Sequence, residues 1–273
     1  NNIKKIMFVG CSYTAGDGVS NNERFSDLLE TMVADVQCHN YALSGSGHDQ
    51  QNLIHKHFAP RIKPDVLILS PYTGCLGRNT LANRPAQDPL TGLMVLRPKP
   101  YYEIHGGELV LFQSPTPRRS LQVGVHPEDH PKKGALTALK KLARKVTNQF
   151  VLDWYGSHRW PVNELYLHEN SYPYRLGQSI LENTLMSSEA SLKIIMPLPT
   201  YRDCLEINRS AYRHFYSELA VKTGARFIDC LPVIASRPRH ELDALFSPGD
   251  GHYTHLGHEI VAAHLASQMP QYL

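Results

Sequence analysis

Two short runs of this sequence are apolar at consecutive positions, not at every second one. They are Lys5-Ile-Met-Phe-Val9, apolar after its first residue, and Val66-Leu-Ile-Leu69. An alternating strand keeps one face in water. A continuously apolar strand is buried on both faces, which marks a parallel sheet covered by helices on each side. Gly10 closes the first run, and Lys63-Pro-Asp65 introduces the second. Three further segments read as strands: 36–42, 192–196 (stopped by Pro197) and 226–229. Between them, residues 25–34 carry Phe25, Leu28, Leu29, Met32 and Val33 at helical spacing. Residues 49–58, 206–223 (ended by Gly224) and 256–268 also read as helices.

Strands alternating with helices predict an α/β fold, a flavodoxin-like three-layer α/β/α arrangement on a mostly parallel five-stranded sheet. The alternation breaks between about Gly74 and Tyr174, in text rich in Pro and Arg. That stretch contains a hairpin pattern, Tyr101-Tyr-Glu-Ile104 and Glu108-Leu-Val-Leu-Phe112 around Gly106-Gly107. A loop is expected over 115–131 and a helix over 133–150. The 273 residues therefore read as a single domain with an insertion at approximately 76–173, expected as a cap over the active edge of the sheet.

Composition narrows the function. Hydrophobic residues make up 42% and charged residues 19%, ordinary for a folded domain. A net charge of +3 without a long basic run argues against nucleic acid, and the densest basic stretch, 132–145, reads as the solvated face of a helix. No apolar run can span a bilayer, and Asn1–Gly10 lacks a signal-peptide pattern. Cys11, Cys38, Cys75, Cys204 and Cys230 are scattered, odd in number and without CxxC spacing. They read as reduced thiols, so the expected compartment is cytoplasmic.

Chemistry gathers where strands end. Ser12 follows the first strand among small residues, Phe8-Val-Gly-Cys-Ser-Tyr-Thr-Ala-Gly-Asp-Gly-Val19. A serine at a sheet edge, on a turn that can aim backbone N–H groups at a developing oxyanion, suits acyl transfer. A hydroxyl needs a base, and a histidine base needs a carboxylate to fix its tautomer. Asp250 and His252, in Ser247-Pro-Gly-Asp-Gly-His-Tyr-Thr-His-Leu-Gly-His258, are spaced to point at one site. His255 and His258 read as surface or helix-start histidines. Without an HExxH-type spacing no metal is assigned.

The block Gly10-Cys-Ser-Tyr-Thr-Ala-Gly-Asp-Gly-Val19 resembles the first block of the SGNH, or GDSL-type, hydrolase superfamily, with Cys11 where the family usually has Asp. Asn40-Tyr-Ala-Leu-Ser-Gly-Ser-Gly47 resembles its second block, and Asp250-x-His252 with Gly257 resembles its last. The two-residue spacing is similar to that of the branch containing polysaccharide O-acetylating proteins. The third block follows Val66-Leu-Ile-Leu69 and reads Ser70-Pro-Tyr-Thr-Gly-Cys-Leu-Gly-Arg-Asn79, with Cys75 at the usual Asn position and Asn79 as a substitute. The resemblance covers 5–58, 64–115 and 192–268, and is faint over 116–190.

The resemblance implies a serine esterase with Ser12 as nucleophile, His252 as base and Asp250 as its orienter. It places Ser12, Gly45 and either Asn79 or Cys75 in the oxyanion hole. No cofactor is implied, and the substrate would be a small-molecule or glycan acyl ester. An O-acyltransferase acting on a sugar or other hydroxyl would use the same constellation. Cys11 and Cys75 also motivate a third reading, a catalytically impaired binding module. Tyr101, Tyr102, Arg118, Arg119, Trp154, Tyr155 and Trp160 are the aromatic and cationic residues that could line a polar pocket.

Overall fold

The computed structural model describes residues 3–88, 90, 92–117, 121–125, 164–206 and 210–269. In chain order the first elements are β1 (Lys4–Gly10), α1 (Ser12–Ala15), α2 (Phe25–Met32), β2 (Val36–Asn40), α3 (His48–Ile62), β3 (Val66–Ser70) and α4 (Cys75–Arg78). Next come β4 (Asn83–Gln87), β5 (Met94–Pro98), β6 (Tyr101–His105), β7 (Glu108–Phe112) and β8 (Leu121–Val125). The chain then continues with α5 (Tyr172–Met186), β9 (Leu192–Ile195), α6 (Tyr201–Leu205), α7 (Ala211–Thr223), β10 (Arg226–Phe227), α8 (Leu231–Ala235), α9 (Arg239–Ala244) and α10 (His255–Gln268). The chain divides into two compact units, Asn1–Leu76 with Val162–Leu273, and Gly77–Pro161.

In the first unit, five strands form one sheet in the order β10-β9-β3-β1-β2. Every pairing in it is parallel. Ile6 to Val9 and Val66 to Leu69 are almost wholly buried, as continuous apolar text requires. From β1 the chain steps outward to β2, then crosses back to β3 and continues to β9 and β10. Right-handed crossovers taken in opposite directions put their helices on opposite faces. Accordingly α2 packs with α10, while α3 packs with α5 and α5 with α7. The reversal lies between β1 and β3, where open α/β sheets form their crevice. Register sets Phe8 level with Asn40 and Gly10 level with Ser70, so the chain leaves these strands at one edge.

Helix boundaries follow local chemistry. In α5, Ser171 caps the N-terminus through its hydroxyl and Pro173 lies in the first turn. Leu176, Ile180, Leu181 and Leu185 give α5 its buried stripe. This helix starts at the end of the expected insertion, in a segment to which the sequence assigned no element. Another correction concerns 206–223. Thr200 and Asp203 form a capping box that starts α6, Glu206 ends it, and α7 begins only at Ala211. The helix expected at 49–58 runs on to Ile62, with Pro60 in its last turn. The strands expected at 36–42 and 226–229 end earlier, at Asn40 and Phe227.

The second unit contains two antiparallel assemblies, β4-β5-β8 and the hairpin β6-β7. The hairpin pairs Tyr101 with Phe112 and His105 with Glu108 across Gly106 and Gly107, as its sequence indicated. Part of the loop expected at 115–131 is instead strand: β8 pairs with β5. The helix expected at 133–150 lies outside the described residues, as do Arg118, Arg119, Trp154, Tyr155 and Trp160. Among the described residues no helix is long and apolar enough to cross a membrane.

Candidate active site

The turn that carries Ser12, the candidate nucleophile, is built by close packing. A Cβ on Gly10 would stand 2.1 Å from Thr14 Oγ1 and 2.7 Å from Ser70 O, so only glycine fits there. The space is used by Thr14, whose hydroxyl donates to Ser70 O at 2.6 Å. This bond ties α1 to the end of β3. Cys11, fully buried, precedes the helix in extended conformation, and Gly16 ends it with φ 78°. Ser12 is 6% exposed. Neither its hydroxyl nor its N–H has a hydrogen-bond partner among the described residues.

The second block is fastened to the first at several points. Asn40 Nδ2 donates to Thr14 O at 2.7 Å and Ser26 Oγ at 2.9 Å, while its Oδ1 accepts from Ala42 N–H. Leu43 N–H and Ser46 Oγ both donate to Gly10 O, each at 3.1 Å. Ser44 Oγ donates to Asp17 Oδ1 at 2.6 Å. These bonds bracket Gly45, which is exposed and holds φ 74°, a conformation that favours glycine. Its N–H also lacks a partner among the described residues. Two backbone donors, at Ser12 and Gly45, thus stand on loops locked to each other.

The loop that carries the candidate base, His252, arrives from the far end of the chain. Tyr13, the neighbour of Ser12, donates its hydroxyl to Gly251 O at 2.8 Å. Its ring lies 5.0 Å from the His252 ring. His252 Nδ1 is 3.1 Å from Asp250 Oδ2. The geometry at Nδ1 is off-line, so the contact is close but not an aligned hydrogen bond. The His252 side chain is 19% exposed, and that of Asp250 54%. Burial disfavours the charged Asp250 carboxylate. The bond from the His252 backbone N–H, the nearby His252 ring and Ser247 outweigh this and lower its pKa.

The segment after His252 is equally fixed. Tyr253 is buried and donates to Pro199 O at 2.7 Å. Thr254 caps α10 and donates to Ala244 O. Gly257 lets that helix begin against the preceding chain, since a Cβ there would stand 2.5 Å from Leu245 O. His255 is half-exposed and paired with Glu259 at 3.0 Å, a helix-start histidine as expected. His258 is not of that kind. It is buried, and its Nδ1 accepts from Phe25 N–H at 3.2 Å.

At the end of β3, Cys75 is fully buried. Its Sγ donates to Ser46 O at 3.8 Å and accepts from Gln51 Nε2 at 3.7 Å, underneath the Gly45 loop. Asn79 is buried in the second unit. The sequence did not single out Asp203, a buried carboxylate that accepts from Thr73 Oγ1, Thr200 N–H and Thr200 Oγ1, each at 2.7 Å. Thr73 O accepts from Tyr166, which meets Tyr216, which meets His48. Burial raises the pKa of both tyrosines well above the ordinary value, so they stay protonated. The signal for this network was weak: the Thr200/Asp203 capping spacing alone.

No protein-family profile and no curated protein matches the sequence. Solved structures do. The chain is similar to TesA, at 10% identity and TM-score 0.53 over 99% of this chain and 100% of that one. It is similar to the native aryl esterase of M. smegmatis, at 14% identity and TM-score 0.51 over 99% and 100%. It is also similar to a catalytic mutant of Axe2, an acetylxylan esterase from Geobacillus stearothermophilus, at 12% identity and TM-score 0.51 over 97% and 93%. With its parallel sheet, strand order and these neighbours, the chain has the SGNH-hydrolase fold.

Proposed function

We propose that the chain is a serine-dependent ester hydrolase working through an acyl-enzyme on Ser12. The observation that supports this most is the hydrogen bond from Tyr13 to Gly251 O. It joins the residue after Ser12 to the residue before His252, across almost the whole chain. Ser12 Oγ attacks the acyl carbonyl while the His252 imidazole accepts its proton, with Asp250 favouring the imidazolium. The Ser12 and Gly45 N–H groups receive the oxyanion. The tetrahedral adduct collapses, the alcohol departs with the proton from His252, and the acyl group stays on Ser12. Water, deprotonated by His252, then attacks the ester and releases the acid.

The cysteines that replace polar family residues do not oppose this reading. Cys11 and Cys75 are both buried in packing, and the donors invoked are backbone groups at Ser12 and Gly45. Among the neighbours in fold are proteins named as an aryl esterase and an acetylxylan esterase. They agree with ester chemistry on a small-molecule or glycan acyl ester. Hydrolysis of p-nitrophenyl acetate tests the reading. The wild-type chain should release p-nitrophenol, and Ser12→Ala should reduce release to background. Unchanged release by Ser12→Ala contradicts it.

A further inference from the structure

Asp250 is a weak anchor for the base. Its side chain is more than half exposed, and the Nδ1 contact is close but misaligned. A solvent-exposed side-chain contact of this kind contributes little rigidity. Between Asp250 and His252 stands Gly251, with φ 76°; its N–H bonds to Ser247 O and the Ser247 N–H to His252 O, which close the loop on itself but do not tie it to α1. The rigid partner lies on the other side. Tyr13 is 7% exposed and stacks on Tyr72 at 5.5 Å with an interplanar angle of 8°. It meets Tyr253 edge-on at 5.0 Å and the His252 ring at 5.0 Å. Burial pushes its phenol far above the ordinary pKa, so it remains a donor.

Resting on the ester-hydrolase reading, we infer that Tyr13 is the positioning residue of the base: its hydroxyl, bonded to Gly251 O, holds the Asp250–His252 loop in reach of Ser12. The nucleophile helix thereby carries its own gauge for the base. Any shift of α1 moves the anchor of His252 with it. A displacement of about 1 Å in such a constellation costs on the order of 100-fold in rate.

The test compares Tyr13→Phe with Tyr166→Phe on p-nitrophenyl acetate. Tyr166→Phe removes another buried tyrosine-to-carbonyl bond, to Thr73 O at 2.8 Å. Rates are normalised to the sites that a fluorophosphonate titrates, so unfolded material does not count. Tyr13→Phe should lower kcat by about 10- to 100-fold with KM unchanged, and should slow fluorophosphonate labelling in parallel. Tyr166→Phe should keep kcat within about threefold while losing comparable thermal stability. If Tyr13→Phe keeps its kcat, or loses no more than Tyr166→Phe, the inference is overturned. If Ser12→Ala is itself still active, the hydrolase reading has failed instead.

Discussion

His258 Nδ1 accepts a hydrogen bond from the Phe25 N–H at 3.2 Å, which stitches α10 to the start of α2. An acceptor nitrogen cannot carry a proton, so His258 is neutral with its proton on Nε2. Burial pushes its pKa down to about 4, as it does that of His55. Both His55 ring nitrogens are buried without a partner among the described residues. The unfolded chain binds these protons near the ordinary value of 6.5, before the folded chain does. Stability is therefore full above about pH 6.5 and is lost as pH falls toward 4, by about 2–3 kcal/mol per histidine. Urea unfolding at pH 7.5 and 4.5 checks this. The His55→Leu variant should lose less between the two pH values. A loss identical to wild type contradicts it.

Gly45→Ala tests the oxyanion loop. At φ 74° an alanine costs about 1 kcal/mol and turns the N–H away from its present direction. Because Gly45 is exposed and bracketed by the Ser44–Asp17 and Ser46–Gly10 bonds, the fold should survive. The expected result is a kcat lower by about 10- to 100-fold with a melting temperature within a few degrees of wild type. An unchanged kcat removes Gly45 from the site.

Cys75→Ala separates packing from catalysis. The thiol is committed to Ser46 O and Gln51 Nε2, beneath the Gly45 loop. Its loss should cost about 1–2 kcal/mol in urea unfolding, while kcat falls less than about tenfold. A fall of 100-fold or more at unchanged stability shows that the S–H acts on the oxyanion directly.

The parallel sheet was legible because its central strands β1 and β3 are continuously apolar and buried over Ile6–Val9 and Val66–Leu69, as a strand covered on both faces requires. Ser12 and Gly45 lie just after β1 and β2, where the sequence placed its small polar residues, and Asp250 and His252 lie between α9 and α10. Helix α5 was missed although Ser171, Pro173 and the stripe from Leu176 to Leu185 all signal it. It adjoins Pro-rich text that hid its start. The start of α7 at Ala211 is masked in the sequence because apolar spacing runs back past Glu206, and the Thr200/Asp203 box marks only the start of α6. Tyr13 could not be read at all. Its partner Gly251 lies 238 residues away, and a backbone carbonyl leaves no trace in sequence. The burial of His258 was invisible for the same reason, since Phe25 N–H is its partner.

The central claim is that Ser12 is a nucleophile activated by His252. The most direct measurement is treatment of the folded chain with a fluorophosphonate, followed by peptide mass spectrometry to locate the adduct. The account predicts one adduct, on Ser12, absent from Ser12→Ala and slowed by at least about 100-fold in His252→Ala. A folded wild-type chain that takes no adduct, or takes it at another residue, contradicts the account.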